Sequence, residues 1–314
     1  MKVKPSIVSL LAMLLFPALA GADSFAPPSG KTLLFVGQDR DTLARYVRGT
    51  GSVPGGTMFY TSVQDLRGLQ KAANYGSGPQ DAKALLRYRH STIQIGLYMV
   101  GALGGVVTGK YDKNLKILAQ WIKKARRPVY LRIGYEFDNP ENHYDPQLYQ
   151  QAFRYVVDFL RGQGVSNAAY VWHSYCPEEA QWMDWYPGND YVDWFGASIF
   201  ASSQIWRATD FLELARKHRK PFMIAESTPA GMYSVRGKLD WFKHVFRFIR
   251  DRNVEAFCYI DSNWDAMPMF VSLKWGDARI EQKRELKDFW LKEIRDDRYL
   301  KSSPDLFKNL GWTK

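Results

Sequence analysis

The chain has 314 residues, is 46% hydrophobic and 24% charged, and carries a formal net charge of +11. That apolar content excludes a disordered or low-complexity protein, and only two cysteines, Cys176 and Cys258, exclude a disulfide-built scaffold or a multi-cysteine zinc site. The basic excess is spread along helix-like segments such as 113–127 and 207–220 rather than gathered in a motif, so no nucleic-acid partner is expected.

From the start of the chain, Lys2 and Lys4 precede an almost wholly apolar run over 7–19. Ala18-Leu19-Ala20 and Ala20-Gly21-Ala22 both fit a small-x-small cleavage site. The pattern predicts a signal peptide over residues 1–20 and a secreted or periplasmic protein of residues 21–314. The run is shorter than the ~20 residues that span a bilayer, and no later stretch is long and apolar enough to do so. A monomer with no membrane span is expected.

Eight β-rich runs follow, at 33–37, 57–61, 92–99, 129–135, 169–174, 192–200, 221–226 and 255–261. Several are apolar on successive residues, as strands buried on both faces are. Between them lie helical patterns: Leu115, Leu118, Ala119, Ile122 and Ala125; Tyr149, Phe153, Val156, Val157 and Leu160; Phe211, Leu212 and Ala215; Trp241, Val245, Phe246 and Ile249. Pro128 and Pro221 each separate a basic helix end from the next strand. No linker or composition break appears after residue 30. The alternation predicts an α/β fold, a single (β/α)8 TIM barrel. An open doubly wound sheet is the alternative, but the first run leads into Gly37-Gln38-Asp39-Arg40 with no G-x-G-x-x-G turn.

In a barrel the chemistry sits where strands end. The fourth run closes as Arg132-Ile133-Gly134-Tyr135-Glu136-Phe137-Asp138 and the seventh as Pro221-Phe222-Met223-Ile224-Ala225-Glu226-Ser227. A buried carboxylate is costly unless it is paired, and two on opposite sides of one mouth suit glycoside hydrolysis. One donates a proton to the leaving oxygen and the other attacks the anomeric carbon. On an extended strand, residues 132, 134 and 136 share a face, which aims Arg132 at the carboxylates and favours their charged form.

These motifs resemble the retaining clan A glycosidases, and within that clan glycoside hydrolase family 26, the β-mannanase-like family. Arg132 and Glu136 match its Arg four residues before the acid/base Glu. Residues 221–226 match its seventh strand, and residues 186–196 resemble its entry to the sixth. The resemblance implies Glu136 as acid/base and Glu226 as nucleophile. The member is divergent: Tyr135 stands where the family places His, and Phe200 is the nearest aromatic where many clan members carry Tyr.

Arg132, Tyr135, Asp138, Trp172, His173 and Trp264 are the candidate substrate-binding residues. Trp264 is favoured as a sugar platform because the eighth strand commonly walls the central subsite in this clan. Asp39, Tyr60, Tyr98 and Asp261 are weaker strand-end candidates. The five histidines show no close ligand spacing and no G-x-S-x-G elbow is present, so neither a metal nor a cofactor is expected. Cys176 and Cys258 are read as unpaired, with a bridge between them conceivable after export. The reading is a secreted retaining endo-β-glycosidase acting on a β-linked polysaccharide or oligosaccharide. A non-catalytic carbohydrate-binding barrel and a trimming or transglycosylating enzyme of exopolysaccharide export are the alternatives.

Overall fold

A computed structural model describes residues 25–179 and 181–313. The expected signal peptide, residues 1–20, lies outside them. Eight parallel strands form the centre: β1 (Thr32–Gly37), β2 (Gly56–Ser62), β3 (Thr92–Tyr98), β4 (Val129–Ile133), β5 (Ala168–Ser174), β6 (Trp194–Ile199), β7 (Phe222–Ser227) and β8 (Ala256–Tyr259). Each pairs with the next, and β8 returns to β1 with Leu33 opposite Ala256 and Phe35 opposite Cys258. The sheet is therefore a closed barrel, as the alternation of runs predicted.

Both faces of these strands are buried, which is why the runs show little polar alternation. Leu33, Phe35, Met58, Tyr130, Val171, Trp194, Met223 and Cys258 fill the interior. Leu34, Val36, Ile93, Leu131, Trp172 and Phe195 face outward onto the helices. The longer helices are α1 (Arg40–Thr50), α2 (Asp112–Ala125), α3 (Pro146–Gly162), α4 (Gln204–Lys217), α5 (Val235–Asp251) and α6 (Arg284–Glu293). The predicted apolar stripes of α2 to α5 are the buried ones. Helix starts follow local chemistry: Asp39 caps α1, Asp145 with Pro146 opens α3, and Ser234 caps α5.

The end of the barrel opposite the strand tips is plugged from below. Leu306 and Leu310 pack under the interior side chains, and Tyr130 Oη donates to the carbonyl of Phe25 at 2.6 Å. Residues Tyr299–Leu300 add a short strand beside β1. Among the described residues no helix is long and apolar enough to cross a membrane. Cys176 and Cys258 are unpaired and buried, the latter with Sγ 3.7 Å from Met58 Sδ inside the barrel.

One strand differs from its predicted extent in a way that matters. The fourth run was expected to stay extended through Tyr135, but β4 stops at Ile133. Gly134 (φ +53°) and Glu136 (φ +52°) are left-handed. Strand alternation therefore does not place Glu136 beside Arg132; a bend does.

Candidate active site

Arg132 points into the barrel near the end of β4 and is fully buried. Its guanidinium is ion-paired with Glu226 at the tip of β7 through Nη1 and Oε1. It lies between two phenol rings, with the guanidinium carbon 5.1 Å from the centroids of both Tyr60 and Tyr135. Burial works against its positive charge, but the Glu226 carboxylate and Tyr60 outweigh burial and raise its pKa.

The same Nη1 lies 3.2 Å from His173 Nδ1, and His173 Nε2 lies 3.0 Å from Ser198 Oγ on β6. Ser198 Oγ donates to Glu136 Oε1 at 2.6 Å. A guanidinium only donates, so His173 Nδ1 must accept and Nε2 must carry the hydrogen. Burial, followed by the charge of Arg132, drives the His173 pKa well below its ordinary value, so the ring is neutral. The hydrogen bonds thus run in one sense from Arg132 through His173 and Ser198 to Glu136. Arg132 grips Glu226 with the same nitrogen, so one chain of contacts links the two carboxylates.

Glu136 is held from its other side too. Asn139 Nδ2 donates to Oε2 at 3.0 Å, and Asn142 Nδ2 donates to the Glu136 carbonyl at 2.8 Å. The latter bond braces the left-handed backbone. Burial, helped by the negative charge of Glu226, pushes the Glu136 pKa up to about 7, against the lowering effect of Ser198 and Asn139. Glu136 and Glu226 are 9% and 8% exposed, so each keeps only a small opening to solvent. One carboxyl poised to carry a proton near neutrality and one carboxylate paired with arginine are the two states that acid catalysis and nucleophilic attack need.

The remaining candidates divide. Tyr135 lies over the site, stacked on His173 with centroids 6.4 Å apart and edge-on to Tyr60. Tyr98 stands beside it at the surface. Asp138 is not a free substrate contact. Its carboxylate accepts from Ser174 Oγ at 2.5 Å and the Tyr175 amide at 2.6 Å, tying the loop after β4 to the end of β5. Trp172 is also misplaced as a sugar platform. It projects outward from β5, fully buried against Phe137, Tyr186, Phe195 and Phe211. The neighbouring His173 takes the inward position, as strand alternation requires. Trp264 is at the mouth but only 2% exposed, with Nε1 donating to Thr228 Oγ1 at 3.1 Å. Asp39 is spent on the α1 cap, and Asp261 is buried beside Glu281.

Sequence reading missed Ser198, Asn139, Asn142 and Trp275. Trp275 is half-buried and joins Trp264, Phe270, Phe200 and Tyr175 in one aromatic wall. Ser198 was legible only as a lone hydroxyl in an apolar strand tip. Trp275 gave no local signal, because it sits in an irregular loop.

A parallel eight-stranded barrel that joins a glutamate just past β4 to one at the tip of β7 through a buried arginine is the arrangement of a glycoside hydrolase. Comparison with known proteins agrees. The family described as Glycosyl hydrolase family 26 matches residues 97–268. The chain is 32% identical to β-1,3-xylanase TXYA of a Vibrio species, over 97% of this chain and 73% of that protein. It is 30% identical to a β-1,3-xylanase of an Alcaligenes species, over 96% and 73%. Among solved structures, the family 26 β-mannanase of Bacteroides ovatus superimposes with a TM-score of 0.64 at 16% identity, covering 88% of this chain and 93% of that one. The chain belongs to glycosyl hydrolase family 26.

Proposed function

We propose that the protein is an endo-β-1,3-xylanase in which Glu136 is the acid/base and Glu226 the nucleophile. The observation that carries the roles is the asymmetry of the pair: Glu226 is held by Arg132, while Glu136 sits at a pKa of about 7. The substrate rests on the two β-1,3-xylanases, which align with nearly the whole chain.

In the first step Glu136 gives its proton to the glycosidic oxygen as that oxygen leaves the anomeric carbon. Glu226 attacks the same carbon and forms a glycosyl ester. Arg132 holds Oε1 of Glu226, so Oε2 is the attacking atom. Esterification removes the negative charge of Glu226, one of the causes that raises the Glu136 pKa. Glu136 is then a carboxylate of lower pKa. It takes a proton from water, which attacks the anomeric carbon and frees Glu226. Two inversions leave the configuration retained. In this reading the half-buried rings of Phe270 and Trp275, backed by Trp264, are the wall offered to a pyranose. We further propose that residues 1–20 direct export, which N-terminal sequencing of the protein recovered from outside the cytoplasm would test.

The deciding experiment digests β-1,3-xylan, β-1,4-xylan and β-1,4-mannan separately and reads products by mass spectrometry. Xylo-oligosaccharides from β-1,3-xylan alone are expected, with the β-anomer formed first by NMR. Release from mannan and none from β-1,3-xylan would overturn the substrate, and an α-anomer would overturn the roles.

A further inference from the structure

The outer surface carries a second feature suited to sugar. Trp206, in the first turn of α4, is 54% exposed, whereas the other described tryptophans are buried or half-buried. Its indole is not loose. The Arg207 guanidinium carbon lies 4.8 Å from the Trp206 ring centroid and 5.1 Å from that of Trp182, so one cation bridges two indoles. Arg207 is in turn anchored by Nε, which donates to the Pro177 carbonyl at 3.0 Å, and by Asp210 at 3.8 Å. Such a stack fixes the ring before any ligand arrives.

Trp206 forms one wall of a groove of about 480 Å³ between α4 and α5. Ser202, Thr209, His244, Arg247, Asp251 and Arg252 also line it, with Arg252 neutralised by Glu213 at 3.5 Å. The lining pairs an apolar ring with both donors and acceptors. A neutral pyranose offers the complement: a C–H face for the ring, and hydroxyls that both give and take hydrogen bonds. The groove begins beside the mouth. Its upper end is Ser202, three residues past the tip of β6, whose Oγ lies 3.4 Å from His244 Nδ1 on α5. From there it descends the outside of the barrel, away from Glu136 and Glu226.

We propose that the α4–α5 groove is a second glycan-binding site, where Trp206 stacks on a pyranose of the neutral β-linked polysaccharide that also enters the mouth. The identity of that polymer rests on the function proposed above. A chain bound at both places is held to the enzyme between cleavage events, which matters for an insoluble polymer and not for a short fragment.

The test uses Glu226→Gln protein, which cannot turn over, with and without Trp206→Ala, in pull-downs on insoluble β-1,3-xylan. Trp206→Ala is expected to weaken binding by about tenfold, the scale of one aromatic stack, and Trp206→Tyr to restore most of it. In otherwise wild-type protein, Trp206→Ala should slow release from the insoluble polymer and leave kcat/KM on β-1,3-xylotriose unchanged. Unaltered polymer binding by Trp206→Ala overturns the proposal. So does an equal loss on xylotriose, which would make Trp206 part of the cleft. Binding that moves to an anionic polysaccharide and disappears with salt would also overturn it, marking the groove as a cationic patch. If the wild type cleaves another polymer instead of β-1,3-xylan, the pull-down on that polymer decides the site separately from the substrate.

Discussion

Glu136 is the residue on which the proposed chemistry turns, and its surroundings predict its pH behaviour. An acid with a pKa of about 7 sets the alkaline limb of kcat/KM near neutrality. Ser198→Ala removes a hydrogen bond that favours the charged carboxylate. The alkaline limb should therefore move to higher pH, which a rate profile from pH 4 to 9 would show; an unmoved or lowered limb would contradict the relay. Glu226→Gln removes a negative neighbour, so the Glu136 carboxyl should titrate lower in a 13C-detected titration. The same pKa bears on stability. Below pH 4.5 both folded and unfolded chains hold the Glu136 proton. From 4.5 to about 7 the unfolded chain releases it first, so stability falls as pH rises and levels off above 7. The loss is on the order of 3 kcal/mol. Glu136→Gln should escape it, and urea denaturation at pH 4.5 and pH 8 should show a correspondingly smaller drop than in wild type.

At the scale of elements, the end of β4 separates what sequence conveyed from what it concealed. The extended runs were legible because burial on both faces leaves a continuous apolar signature, and the helices because their buried stripes repeat at the helical period. The bend after Ile133 was not, because a left-handed glutamate leaves no pattern. It exists through tertiary contacts: the Asn142 side chain on the Glu136 carbonyl, and Tyr149 Oη donating to the Ile133 carbonyl at 3.0 Å. Trp172 was misassigned for a related reason. A tryptophan at a strand tip looks the same whether it faces the mouth or the helices, and only its phase relative to His173 decides. The bend makes a prediction. A Cβ on Gly134 would lie 2.9 Å from the Tyr149 ring and 3.1 Å from Met99 Cε, at a φ that side chains avoid. Gly134→Ala should cost about 1–3 kcal/mol and lower kcat by displacing Glu136. Gly231→Ala, with similar φ and open space around it, should be milder in thermal unfolding and leave kcat unchanged.

For the whole molecule, the closed barrel depends on its floor as much as on its strands. Leu306 and Leu310 are about 1% exposed and belong to the same cluster as the barrel interior. Leu306→Ala should destabilise by ~2–5 kcal/mol, as truncation of a buried leucine does. The active-site mouth lies at the other end, so KM should not change in the surviving folded fraction. A large KM change measured well below the melting temperature would show that floor and mouth are coupled.

The partners of β1 give the barrel a particular relation to time. Leu33 needs Ala256 and Leu300 beside it, and the interior above needs Leu306 and Leu310 beneath it. On a ribosome that emits the chain from its first residue onward, β1 waits through more than two hundred further residues with one edge open. The finished barrel is therefore a product of release rather than of elongation. A nascent chain halted before residue 256 should remain sensitive to protease along β1 long after the segments around β4 to β6 have met their neighbours.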